Sequence, residues 1–270
     1  MKERVEYAAV AALRRFAAVL PYPLLILCGR TLGYIFYVAD ATHRRVASEN
    51  LAGAFPRRSA AERRAIVRAV FAHFGCLLFE FLKFSTLSSE QILERVDFDG
   101  EERVRLAYAQ GKGVLFVTGH FGFWELHALA HPLRFEPIGV LARTLDNAPL
   151  NTLLEEIRQR TGNVVIYRQG SIRKVMRMLS EKHGVAILID QHISSGDAVY
   201  VDFFERRAAT TSAVAAMALR TGAPIVPVFA LPLGKGRYRL IYEHPVEPPA
   251  ADSDDAIREF TQRCTDVLEM

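Results

Sequence analysis

Two patterns of apolar residues divide the chain. Up to about residue 87 the apolar positions recur at helical spacing, first through the dense run Phe16–Val38 and then through 59–87. The second run opens with Ser59-Ala60-Ala61-Glu62, a capping box that sets a helix start. From about residue 90 short β-rich runs alternate with helical ones. The expected strands are Val114–Thr118, Pro137–Ala142, Asn163–Tyr167, Val185–Ile189, Pro224–Ala230 and Tyr238–Tyr242, with helices at 150–161 and 212–221. That alternation predicts an α/β fold, a central mixed sheet covered by helices. Thr210 or Thr211 is the expected N-cap of the helix at 212, and Phe203 and Phe204 are expected in the core.

The first run is long enough to bear on location. Phe16–Val38 is 23 residues with Arg30 as its only charge. Arg14-Arg15 precede it and Arg44-Arg45 follow. Pro21, Pro23 and Arg30 disfavour one straight span, so an interfacial helix or shallow hairpin is expected. Residues 1–45 thus read as an apolar helical membrane attachment and 46–270 as the catalytic domain. Charge sharpens this: the first 76 residues hold 12 Lys+Arg against 5 Asp+Glu, whereas the remainder holds three more acids than bases. Arginines beside apolar chain suit an anionic membrane surface. Nucleic acid is not an expected partner, because no stacking platform accompanies the basic residues.

Candidate chemistry clusters where strands end. His120-Phe121-Gly122-Phe123-Trp124-Glu125 follows the strand 114–118 and enters a helix. An imidazole there can act as a general base, with a carboxylate on its other nitrogen fixing the tautomer. Five helical residues span about 140°, so His120 and Glu125 meet only if His120 stays in the turn. Arg143 follows the strand 137–142. Asn151, Glu155 and Arg158 line one face of the next helix, where Glu155 and Arg158 can pair or Arg158 can join Arg143 to grip a phosphate. Asp190 ends the strand 185–189 and is a third candidate, for substrate binding. There is no Walker loop, no G-x-G-x-x-G and no H-E-x-x-H, and Ser195-Gly196 is not a nucleophile elbow. His120, Glu125 and His127 do not share a face that would hold a metal. Cys28, Cys76 and Cys264 lie far apart and form no redox or metal spacing.

Together these stretches resemble the bacterial lipid A biosynthesis acyltransferases, within the wider glycerolipid acyltransferase superfamily. The resemblance rests on Asn50-Leu51-Ala52-Gly53-Ala54-Phe55-Pro56, on His120 to Glu125, and on Arg143. It continues through Asn151 to Arg158, Asp190-Gln191, and Phe203-Phe204 on to Thr210-Thr211. It implies transfer of a fatty acyl chain from a thioester, usually acyl–acyl carrier protein, to a hydroxyl of a membrane glycolipid at the cytoplasmic face of the inner membrane. It implies His120 as base, Glu125 as its partner, and Arg143 and Arg158 on the phosphorylated acceptor or the donor. No cofactor is implied; acyl carrier protein or coenzyme A delivers the acyl group as co-substrate. Phe123 stands where the family often has Asn, and Glu205 where it usually has Gly. The resemblance also implies a Trp/Arg-rich tail beyond Met270; separately, the amphipathic run from Asp254 carries no stop signal. With no Ser or Cys beside the His–Glu pair, direct transfer is expected, not an acyl-enzyme. A hydrolase using the same base, an idle membrane-binding protein, and an acyltransferase for a phospholipid or a phosphatidylinositol mannoside are the competing readings.

Overall fold

The computed structural model describes residues 1–168, 170–194, 198–249 and 255–269; Ser195-Gly196 and Asp254 lie outside them. Four helices come first: α1 (Lys2–Val19), α2 (Tyr22–Ala39), α3 (Ala41–Ala54) and α4 (Ala60–Phe84). A short α5 (Ser89–Leu93) leads into β1 (Val96–Asp99), α6 (Glu101–Ala109), β2 (Val114–Thr118) and α7 (Glu125–Arg134). Then come β3 (Ile138–Ala142), α8 (Ala148–Gln159), β4 (Val164–Tyr167), α9 (Ser171–Ser180) and β5 (Gly184–Leu188). A hairpin of β6 (Ala198–Phe203) and β7 (Arg206–Thr211) precedes α10 (Ala213–Thr221), β8 (Ile225–Gly234), β9 (Arg237–Tyr242) and α11 (Ala256–Asp266).

Seven strands form one sheet in the order β1-β9-β8-β2-β5-β3-β4. Every neighbouring pair is parallel except β8–β9, so the sheet is mixed as expected. β2 lies at its centre and is buried along its whole length. Val114 and Phe116 face a core shared with α4, α6 and α7, and Leu115 and Val117 face one shared with α9, α10 and α11. A strand covered on both faces reads as an unbroken apolar run, which is why 114–118 was legible. The six expected strands all form; β1, β6 and β7 are additional. Arg206-Arg207 and Thr210-Thr211 fall in the hairpin, where alternation is masked by charge. The N-cap of α10 is Ser212, not a threonine: Thr210 Oγ1 donates to the Ile189 carbonyl, and Thr211 Oγ1 accepts from the Ala213 N–H.

The N-terminal helices are fastened to this body. Ser59 and Glu62 close the capping box at the head of α4. At its other end Phe84 packs into the sheet core against Phe123 and Tyr238. Lys83 Nζ donates to the carbonyls of Ala17, Ala18 and Leu20, capping α1 with a cation where the helix dipole is negative. Arg14 binds Ser85, and Asn147 ahead of α8 binds Glu6. α2 lies against α4 through glycines: a Cβ on Gly33 would stand 2.2 Å from the Phe71 carbonyl oxygen, and one on Gly75 2.1 Å from that of Gly29. Small residues allow that approach, as between helices in bilayers. α2 and α4 are each long and apolar enough to cross a membrane. Leu24, Leu27, Tyr34, Ile35 and Val38 of α2 are exposed, while Leu25, Gly29 and Gly33 are buried.

Candidate active site

The register of two parallel strands builds the site. Thr118 at the end of β2 lies opposite Leu188 at the end of β5. Two residues further along each chain come His120 and Asp190, carried side by side off the open edge of the sheet. His120 Nδ1 lies 2.9 Å from Asp190 Oδ1, and the His120 backbone N–H donates to Oδ2 at 2.7 Å. Gly119 permits this approach, because a Cβ there would lie 3.2 Å from the Asp190 carboxylate. With Nδ1 donating to Asp190, Nε2 keeps its lone pair and is free to accept a proton. Burial alone would raise the Asp190 pKa. The hydrogen bonds from the His120 ring and backbone, with the imidazole's charge, outweigh it and hold the carboxyl below its ordinary value.

The sequence expectation that Glu125 meets the imidazole is therefore corrected. Gly122, at φ +58°, turns the chain against β8, where the Phe123 N–H donates to the Ala230 carbonyl at 2.9 Å. Glu125 then begins α7 and turns to α8. Arg158 grips its carboxylate with two donors, Nε to Oε2 at 3.0 Å and Nη2 to Oε1. The side chains are 14% and 17% exposed, so each neutralises a charge largely removed from water. Two further expectations fall with that one. Arg158 does not pair with Glu155, whose carboxylate accepts from the Tyr167 hydroxyl at 2.6 Å. Nor is Arg158 open to clamp a phosphate with Arg143. Arg143 remains solvent-exposed, with Asp146 3.6 Å away. Asn151 pins the loop after β3, accepting from the Leu145 N–H and donating to Tyr167.

Trp124 was not singled out from the sequence, yet its indole sits edge-on to the His120 ring, centroids 5.0 Å apart. Its other neighbour is Phe74 of α4, at 6.2 Å. His127 and His131 are wholly buried among Phe116, Phe135 and Tyr242, where burial pushes the His127 pKa down to about 3. No group of His, Cys, Asp or Glu suited to a metal occurs among the described residues.

A cleft of about 650 Å³ opens beside Asp190 and Gln191. Its walls come from the end of α3 and from the β6–β7 hairpin, which places Phe55 5.3 Å from Phe204. Phe203 and Phe204 thus line a cleft instead of filling the core. The stretches 50–56, 190–191 and 203–211, far apart in sequence, meet around this one opening.

The chain is 25% identical over 252 residues to the lipid A biosynthesis myristoyltransferase of Escherichia coli K12, covering 92% of this chain and 77% of that one. It is 29% identical over 239 residues to the lauroyltransferase of the same organism, covering 87% and 77%. A phosphatidylinositol mannoside acyltransferase of Mycolicibacterium smegmatis is 22% identical over 205 residues, covering 74% and 66%. The family model described as bacterial lipid A biosynthesis acyltransferase matches residues 2–270, and the chain belongs to that family.

Proposed function

We propose that this acyltransferase moves a fatty acyl chain from an acyl thioester to a hydroxyl of a membrane glycolipid, a lipid A precursor. The observation that carries the mechanism is the His120–Asp190 pair, with Nε2 unencumbered and Asp190 lining a largely apolar cleft. Nε2 takes the proton of the acceptor hydroxyl as its oxygen attacks the thioester carbonyl. Asp190 stabilises the imidazolium that forms. Collapse of the tetrahedral intermediate breaks the C–S bond, and the imidazolium returns the proton to the departing thiolate. The His120 and Phe123 N–H groups are already engaged. Those of Phe121 and Gly122 are the turn's remaining donors for the oxyanion. Glu125 acts through Arg158 as a positioning residue, locking the first turn of α7 against α8. Exposed Arg143 meets phosphate on the acceptor or the donor.

The donor is acyl–acyl carrier protein, an acidic partner suited to the basic N-terminal quarter. The enzyme works at the cytoplasmic face of the inner membrane, held to anionic lipid by α1–α4. The mannoside acyltransferase relative favours one competing acceptor, a phosphatidylinositol mannoside. Purified enzyme with isotope-labelled acyl thioester, assayed with each acceptor and with none, separates the readings by product. An acylated lipid A precursor supports the proposal. Release of free fatty acid alone makes the protein a hydrolase, and acylation of the mannoside alone replaces the acceptor.

A further inference from the structure

A second opening, separate from the cleft beside Asp190, lies among the N-terminal helices. It is a groove of about 380 Å³ between α2, α3 and α4, walled by Leu32, Phe36, Ala47, Val70, Phe74 and Leu78. Its size is at the lower end of ligand sites, and its walls offer almost nothing polar along their length. Polar groups gather at one end, where His43 Nδ1 and Asp40 lie 2.6 Å apart at the head of α3. Arg44, the next residue, reaches back to the Val38 carbonyl, and Arg45 is exposed. The wall residue Phe74 touches Trp124, and Trp124 touches His120. An aromatic path thus joins the groove to the imidazole.

We infer that this groove holds an acyl chain of the anionic membrane lipid that serves as acceptor, an inference that rests on the function proposed above. Three observations select that occupant. Two of the groove's walls are the helices apolar and long enough to enter a bilayer, so its filling comes from hydrocarbon already there. The cleft beside Asp190 is walled by the end of α3 and the β6–β7 hairpin, with no residue of α2 or α4 lining it, which leaves it to the donor. The first 76 residues carry seven more positive than negative charges. That surplus attracts an anionic headgroup and repels a second copy of this chain. Burying the methylenes of one chain there would tether the acceptor while its sugar hydroxyl reaches Nε2.

Trp124 is the sole tryptophan and packs on the wall residue Phe74, so its emission reports on the groove from behind that wall. The full-length protein is mixed with phosphatidylglycerol vesicles whose acyl chains carry bromine, a contact quencher of indole. Emission should fall at least two-fold relative to unbrominated vesicles. Ala47→Phe, which fills the groove, should abolish most of that quenching while the protein still sediments with the vesicles. Val70→Phe, at a more exposed wall position, repeats the test should Ala47→Phe fail to fold. Undiminished quenching in the filled variants, or none in the wild type, overturns the inference. So does equal quenching by a brominated acyl thioester without vesicles that the filled variants abolish, since the groove would then belong to the donor. Quenching that behaves as expected in a protein that transfers no acyl group to any lipid overturns the proposed reaction and leaves a lipid-chain site standing.

Discussion

The carboxyl edge of the sheet carries His120, the layer of N-terminal helices reaches it through Phe74 and Trp124, and the two are built on different principles. At the sheet edge, geometry comes from backbone register and from charge-assisted hydrogen bonds: Asp190 on His120, Arg158 on Glu125. In the helical layer it comes from the lack of side chains, with Gly29, Gly33 and Gly75 letting α2 and α4 meet backbone to backbone. The first construction holds a proton donor and acceptor at hydrogen-bonding distance. The second leaves the outer face of α2 apolar and unpartnered within the chain.

The sharpest way to break the comparison is at the dyad. His120→Ala should lower kcat by about 10²–10⁴-fold or more, and Asp190→Asn by a similar order, with the fold intact by circular dichroism. Asp190 also gives a pH signature. Its carboxyl is held below its ordinary value in the folded chain, so its stabilising contribution is full above the unfolded pKa of about 3.9. That contribution disappears as pH falls through the lower folded value. The stability gap between wild type and Asp190→Asn should therefore shrink as pH falls through that lower value. A gap that persisted undiminished in strong acid would remove the ionised partner.

Glu125 tests whether the second carboxylate is chemical or positional. Glu125→Ala leaves Arg158 with a largely buried, unpaired charge, a cost of up to about 3–5 kcal/mol before the relief that partial exposure gives. Replacing both residues, Glu125→Gln with Arg158→Met, should restore much of the Tm and part of kcat. A direct catalytic Glu125 would recover no activity in the double variant. Gly33→Leu probes the helical layer. Its Cβ would meet the Phe71 carbonyl, and forcing α2 from α4 should cost about 1–3 kcal/mol and weaken vesicle association while the soluble sheet retains its spectrum. The smallest effect is at the hairpin tip, where Phe204 and Glu205 both take positive φ. Glu205→Gly should raise stability by less than about 1 kcal/mol, read as a small rise in Tm.

The sheet was legible because its strands are buried on both faces and bounded by turn residues, and α4 because Ser59 and Glu62 announce its start. The hairpin escaped because Asp202, Arg206 and Arg207 interrupt its alternation, and its two strands pair with each other away from the main sheet. His120, Asp190, Glu125 and Arg158 could each be picked out as polar groups near element ends. Their partners could not. Local spacing offered Glu125 to His120 and Glu155 to Arg158, both within a few residues. The contacts that form, at separations of 70 and 33 residues, depend on strand order and helix placement. Trp124 carried no signal beyond being the sole tryptophan.

The match of Thr118 with Leu188 bears on how this chain tolerates insertion and deletion. A strand buried on both faces has no inside–outside alternation to penalise a slip of one residue. Removing a single residue from β5 could therefore leave a well-packed sheet of nearly unchanged hydrophobicity. It would still draw Asp190 about 3.3 Å along the strand and out of reach of the imidazole. For β2 and β5, strand length is under tighter constraint than side-chain identity, and a one-residue deletion there should yield a folded protein with no working base.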